Sequence, residues 1–240
     1  KLSQDNFIIG SRYGDLDIGD RGYGRLVEPL DLKNNIEKTL GKVIVTSGPT
    51  IEAIDDVKVI TNKSSGKQGR AIAVELSSRG YETIYIHSSQ ISPIPGILNV
   101  SFKSSSELLS KINENIDNSK YLFMTAAVSD FTTDKKSGKI SRDSGNFQLN
   151  LIPNIDLVKT IKDKNEDIIT VAFSAQVNDD LNFDKIKRKN CDYLVINNIL
   201  KNDFGSDLNK IKIINKKELM YESNEKSKSD IAYELLDVLL

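Results

Sequence analysis

The 240-residue sequence predicts an α/β fold, a Rossmann-like, mostly parallel sheet with helices on both faces. Two observations predict it. Short, near-continuous apolar runs alternate with segments of helical period, and the connections between runs are long enough for right-handed crossovers. Strands covered on both faces need no polar alternation, which is why such runs read as continuous.

The elements follow in order. Ser11–Pro29 holds Gly14, Gly19, Gly22 and Gly24 with neither a helical nor an alternating apolar period, which predicts an irregular loop. Asp31–Leu40 fits a short helix or a linker. From Gly41 the pattern changes. Val43–Val45 forms a buried strand that runs into a turn at Ser47, Gly48 and Pro49. Ser64–Gly80 reads as a helix with Gly80 at its C-terminal stop. Glu82–Ser88 reads as a strand. Ser104–Ile116 reads as a helix with Ser104 and Glu107 at capping-box spacing. Tyr121–Val128 is a continuous apolar strand, followed by a polar, basic insert over 132–150. A helix from Asp156, strands at Asp167–Ala175 and Asp192–Asn198, and an amphipathic helix from Lys228 complete the series.

Composition narrows the function. With 33 basic and 34 acidic residues the net charge is −1, which excludes nucleic-acid binding by bulk charge. One Cys and one His exclude an internal disulfide and leave little for a Cys/His metal site. No run of 18 apolar residues offers a membrane span, and no secretory signal opens the chain, so a cytoplasmic location is expected. The first residue is Lys1 rather than Met, which suits a fragment or processed product.

In a parallel sheet, ligands gather outside the carboxyl ends of the strands. The cluster Asn62, Ser64, Ser65, Gly66 precedes a helix start, where backbone N–H groups bind phosphate; Ser64 taken alone reads first as an N-cap. The stretch matches neither GxGxxG nor Walker A. Asp130 follows a buried strand and suits a ligand hydroxyl, a metal or a plain turn. Lys135, Lys136, Lys139 and Arg142 form either a solvated loop or a charge-neutralising one. Lys185 and Lys189 stand at i, i+4 on one helix face, which reads either as the polar face of that helix or as a pair whose repulsion an anion between them would relieve. Cys191 and His87 read as buried structural residues.

Taken together, VTSGPTIEAIDDVKVITNKSSGKQGRAIA, AAVSDF, GKI, NIDLV, VAFSA and KIKRKNCDYLVINN resemble phosphopantothenate–cysteine ligase, the ligase half of the bifunctional coenzyme A biosynthesis protein. The resemblance divides the chain into 41–240, the ligase domain, and 1–40, the tail of a preceding flavin-dependent decarboxylase domain with its linker. In that tail the family carries a catalytic Cys where Ile18 stands here. FMN is implied only with the rest of the decarboxylase domain. The resemblance implies a nucleotide-dependent ligase in which the carboxylate of 4'-phosphopantothenate takes up a nucleotidyl group from CTP or ATP, with Mg2+ present. L-Cysteine then displaces the nucleoside monophosphate. By motif, Asn62 and Lys139 are catalytic, the Asn62 amide donating to the developing oxyanion. Ala126, Ala127, Asp130, Asn154, Ile155, Asp156, Leu157, Phe173, Lys185 and Lys189 bind nucleotide. Gly48, Ser64, Ser65 and Gly66 bind substrate, and metal ligands are not assigned. Ile155 replaces a family Pro, and Lys58 a family Arg. A homodimer is implied, with a decarboxylase domain or subunit as a further partner, and neither nucleic acid nor membrane. The alternative is a non-catalytic, nucleotide-binding regulatory relative of the same fold; a Rossmann oxidoreductase is disfavoured by the missing GxGxxG.

Overall fold

The computed structural model describes residues 11–16, 19–30, 32, 40–142, 145–178, 180–198 and 205–240. Arg12–Asp15 (β1) and Arg21–Arg25 (β2) pair antiparallel, where a loop was expected. This hairpin is held by docking rather than by its own apolar alternation, so the sequence pattern is silent about it. Tyr13 is buried, meets Tyr23 edge-on with centroids 5.2 Å apart, and lies 3.2 Å from Ser227 Oγ. Arg21 donates to Asp230 at 2.5 Å. Of the Asp31–Leu40 segment, only Leu32 and Leu40 fall within the described residues.

Lys42–Ser47 (β3) leads into the hairpin Ile51–Ala53 (β4) and Val59–Thr61 (β5), then helix Lys67–Arg79 (α1). Glu82–Ser88 (β6), Leu98–Phe102 (β7) and helix Ser105–Asn115 (α2) follow. Ser119–Met124 (β8) precedes the short strands Phe131–Thr132 (β9) and Ile152–Pro153 (β10), which pair with each other and close the base of the polar insert. Helix Leu157–Lys164 (α3), Ile169–Gln176 (β11), helix Phe183–Lys189 (α4) and Tyr193–Asn198 (β12) come next. Leu208–Asn209 (β13), Ile211–Ile214 (β14), Leu219–Glu222 (β15), Lys226–Ser227 (β16) and helix Lys228–Leu239 (α5) end the chain.

The main sheet has eight strands in the order β15-β14-β12-β11-β8-β3-β6-β7. The six from β12 to β7 are parallel, and β14 and β15 add an antiparallel edge. From β3 the chain runs outward through β6 and β7, then returns to lay β8 on the other side of β3. The carboxyl ends of β3 and β8 therefore form the switch point where a crevice opens.

Alternation along the central strands fills both faces. Ile44, Leu122, Met124 and Ala172 pack with Leu108 and Ile112 of α2, Ile161 of α3 and Ile186 of α4. Val43, Val45, Tyr85, Phe123 and Val171 pack on the opposite face with Ile72 and Leu76 of α1 and Leu235 and Leu236 of α5. Each fully buried aliphatic side chain contributes about 1.5–3 kcal/mol through desolvation. Cys191 belongs to the first of these clusters; it is fully buried, and burial pushes its thiol up to about 11. His87 is buried, stacked against Tyr85 at 5.3 Å, with Nδ1 2.9 Å from Ser88 O.

The apolar run Tyr121–Val128 stops being a strand at Met124. Beyond it, hydroxyl groups replace part of the ladder. Thr46 Oγ1 accepts from Ala126 N at 3.1 Å, and Thr50 Oγ1 accepts from Ser129 N at 3.0 Å. Ala127 N donates to Gly48 O at 2.9 Å. Residues 125–129 thus turn across the switch point as a backbone shelf.

Candidate functional site

At this rim lies a cleft of about 790 Å³. Its wall includes Asn62, Ala126, Ala127, Asp130, Asn154, Ile155, Asp156, Leu157, Phe173, Lys185 and Lys189. Eleven positions singled out by motif, drawn from five separate segments, therefore face one space. A smaller cavity of about 170 Å³ adjoins it at the N-terminus of α1, lined by Ser64, Ser65 and Gly66 and sharing Ala126, Ala127 and Phe173 with the larger one.

Close packing of helix and sheet shapes the second cavity. A Cβ on Gly69 would stand 2.2 Å from Thr125 Oγ1 and 2.7 Å from Ser47 Oγ, so only glycine lets α1 approach the two strand ends. Gly66 precedes the helix at φ 68°, and no side chain caps the first turn. Ser64 is not the N-cap, which removes the plain capping role open to it in the sequence. Gly48 lines neither cavity; its carbonyl holds the shelf at Ala127.

Asn62 is exposed, and its Nδ2 donates to Ala127 O at 3.3 Å and Val128 O at 3.0 Å. Both amide protons are engaged with the shelf. In this arrangement the atom of the amide without a partner on the shelf is Oδ1, an acceptor. Asn154 is likewise occupied, with Nδ2 donating to Ser105 Oγ at 2.9 Å and Ser129 O at 3.1 Å. Asp156 caps α3 through Lys159 N at 3.2 Å and pairs with Lys189 Nζ at 2.8 Å. Asp130 is exposed at the cleft mouth, and its carboxylate has no partner among the described residues.

Lys185 and Lys189 share the cleft wall, as their i, i+4 spacing implies. Lys185 Nζ donates to Ser174 Oγ at 2.7 Å. Burial pushes the Lys185 ammonium below the ordinary lysine value, helped by the charges of Lys189 and Arg188, while Asp130 and Asp156 act in the opposite sense.

Lys139 lies elsewhere. It is exposed and lines neither cavity. Its loop is clipped to the β4–β5 turn: Gly138 N donates to Asp56 Oδ2 at 2.9 Å and Ile140 N to Asp55 Oδ2 at 3.0 Å. Lys135 pairs with Asp56 at 2.7 Å. Lys58 Nζ spans Asp55 Oδ2 at 2.8 Å and Ile140 O at 3.0 Å. Lys58 is thus a clip of that loop and not a member of the cleft.

Residues that sequence reasoning missed include Lys63, Lys159, Ser174 and Arg188 in the cleft, and Lys67, Asn197 and Lys228 in the smaller cavity. Ser174 had a signal: it is the position after Phe173 on a strand whose carboxyl end reaches the rim. Lys228 had none, because its approach depends on how α5 docks.

Among the described residues no group of three or more His, Cys, Asp or Glu side chains could hold a metal, and no helix is long and apolar enough to cross a membrane. The donor set fits a magnesium ion carried on phosphate oxygens, for which the one unengaged carboxylate of Asp130 suffices.

The sequence profile of the DNA/pantothenate metabolism flavoprotein C-terminal domain matches residues 39–240. The chain is 32% identical over 253 residues to the coenzyme A biosynthesis bifunctional protein CoaBC of Bacillus subtilis strain 168, covering 98% of this chain and 62% of that protein. It is 31% identical over 258 residues to a protein named cysteine/cysteine sulfinic acid decarboxylase from an unknown prokaryotic organism, covering 99% and 72%. Among solved structures, the C-terminal domain of CoaBC superposes with a TM-score of 0.68 at 25% identity, covering 82% of this chain and 93% of that one. The chain spans 62% of the Bacillus relative and 51% of a CoaBC from Vibrio cholerae.

Proposed function

The chain belongs to the DNA/pantothenate metabolism flavoprotein C-terminal domain family, and from that premise we propose that it is a phosphopantothenate–cysteine ligase of coenzyme A biosynthesis. The observation that carries this reading is the meeting of Asn62, Asp130, Lys185 and Lys189 in one cleft at the switch point.

The chemistry asks for such a cleft. A free carboxylate is not amidated because its leaving group would be oxide. Attack of the phosphopantothenate carboxylate on the α-phosphate of CTP or ATP releases pyrophosphate and leaves an acyl-nucleotidate. The cysteine amine then attacks the acyl carbon, and the nucleoside monophosphate departs. Lys185 and Lys189 hold the polyphosphate against the rim. Phe173, the Ala126–Ala127 shelf and the Asn154–Leu157 segment hold the nucleoside. Asn62 Oδ1 accepts an N–H of the incoming amine and aims its lone pair at the acyl carbon. Magnesium, when bound, supplies charge neutralisation on the phosphates, with Asp130 as the protein carboxylate that suits it. Lys139 reaches the developing charge once its loop leaves the Asp55–Asp56 turn. No step uses a flavin.

Pyrophosphate release measured with each nucleotide tests the reading. Release that requires phosphopantothenate, with cysteine-dependent nucleoside monophosphate, is expected; no release with CTP or ATP sinks it. One observation favours the second reading, a non-catalytic nucleotide-binding relative: Lys139 stands outside the cleft. Lys139→Gln separates the two. It leaves nucleotide binding largely intact but slows pyrophosphate release at least tenfold if the chain is an enzyme, roughly the worth of one preorganised charge. A homodimer is also proposed. The exposed apolar residues Val57, Val59, Phe131 and Ile152 on the two small hairpins are the surface we assign to it.

A further inference from the structure

Lys185 and Lys189 are anchored differently. Lys189 pairs with a carboxylate, Asp156 Oδ2, at 2.8 Å. Lys185 rests on a neutral hydroxyl, Ser174 Oγ, at 2.7 Å. Ser174 sits near the carboxyl end of β11, is buried, and also receives a hydrogen bond from Gln176 Nε2 at 3.1 Å. A hydroxyl oxygen has two lone pairs and one proton. With both lone pairs engaged, the Ser174 proton has no acceptor among the described residues. The Lys185 ammonium has spent one of its three protons. What remains is a set of donors on a cleft wall that Arg188 also lines. Donors without acceptors, beside cationic side chains, complement anionic oxygen. Burial and like charge hold Lys185 below the ordinary lysine value, a cost that a neutral serine leaves in place and a polyphosphate relieves.

We propose that Ser174 is a positioning residue for polyphosphate: its hydroxyl oxygen holds Lys185 Nζ at the cleft wall, where the ammonium meets the anion. The proposal rests on the ligase reading for the identity of that anion as the triphosphate of the nucleotide. Ser174 acts through Lys185, so its effect disappears when Lys185 is gone.

The test is a double-mutant cycle on the full chain, read by calorimetric binding of inorganic tripolyphosphate and by steady-state pyrophosphate release. Ser174→Ala is expected to weaken tripolyphosphate binding roughly tenfold, in line with the loss of hydrogen bonds to charged groups. Nucleotide KM rises to match while kcat stays within about twofold. Ser174→Thr, which keeps the hydroxyl, regains most of the affinity. In a Lys185→Ala background the serine substitution changes affinity by less than about twofold. Unchanged affinity in Ser174→Ala, an equal loss in both backgrounds, or no tripolyphosphate binding by the unsubstituted chain overturns the proposal. Absence of pyrophosphate release with tripolyphosphate binding that still depends on Ser174 sinks the ligase reading and leaves the positioning role standing.

Discussion

Lys185 is the residue whose chemistry is most exposed to measurement. Its ammonium faces Lys189 and Arg188 as like charges and Asp130 and Asp156 as opposite ones, and desolvation outweighs them all. A base held below its usual value loses its proton earlier as pH rises. Polyphosphate affinity is therefore expected to fall on the alkaline side at a lower pH than an ordinary lysine, about 10.4, would give. Lys185→Arg, whose guanidinium stays charged, should move that fall to higher pH. A pH–affinity profile that ends in the same place for both contradicts the assignment. Asn62 supplies a second prediction. With its two protons spent on the shelf and Oδ1 left for the amine, Asn62→Ala should retain pyrophosphate release but lower product formation by at least about tenfold, the scale of a lost positioning contact. Quenched-flow detection of accumulated acyl-nucleotidate checks it. Spacing gives which residue reaches a site, and only the fold gives which of its atoms is engaged.

At the scale of elements, the β4–β5 turn and the loop around Lys139 form one unit. The Lys58 ammonium, then the Ile140 and Lys58 amides, hold the Asp55 carboxyl well below the usual carboxylate range. For a depressed carboxylate the linked stability is present above the unfolded value, about 3.9, and is lost as pH falls toward the folded one. Protection of the Gly138 and Ile140 amides, taken relative to their intrinsic exchange rates, is thus expected to hold down to about pH 4 and to fall only below it. Asp55→Asn should quicken exchange at Ile140 at neutral pH, and equal protection in that variant would show that the turn does not hold the loop. Strands and helices with strong local signals were legible in the sequence: Glu82–Ser88 is a strand over the expected residues, and Ser104 caps α2 with Glu107 N donating to its hydroxyl at 3.2 Å. What stayed illegible was tertiary. The glycine-bearing β1–β2 hairpin exists through Tyr13, Arg21 and their partners on α5 and β16, and the Tyr121–Val128 run ends early because Thr46 and Thr50 hydroxyls take over its hydrogen bonds. The cleft residues were legible as motifs, and Ser174 as the position after Phe173, whereas Arg188 and Lys228 entered only through packing.

For the whole molecule, the site depends on a sheet packed on both faces. Phe123 is fully buried at its centre, and Phe123→Ala is expected to cost about 3–5 kcal/mol of stability, read as a lowered urea midpoint. The same substitution should reduce nucleotide binding only in proportion to the unfolded fraction, since Phe123 lines neither cavity. Sedimentation equilibrium should return twice the monomer mass, and Val57→Asp should shift it toward the monomer.

The most direct measurement follows oxygen. Phosphopantothenate labelled with 18O in its carboxylate is turned over with nucleotide and cysteine, and the products are weighed by mass spectrometry. One labelled oxygen in the nucleoside monophosphate, with pyrophosphate unlabelled, is the outcome expected of carboxylate attack at the α-phosphate. Label in inorganic phosphate, or turnover with no label in the monophosphate, contradicts it.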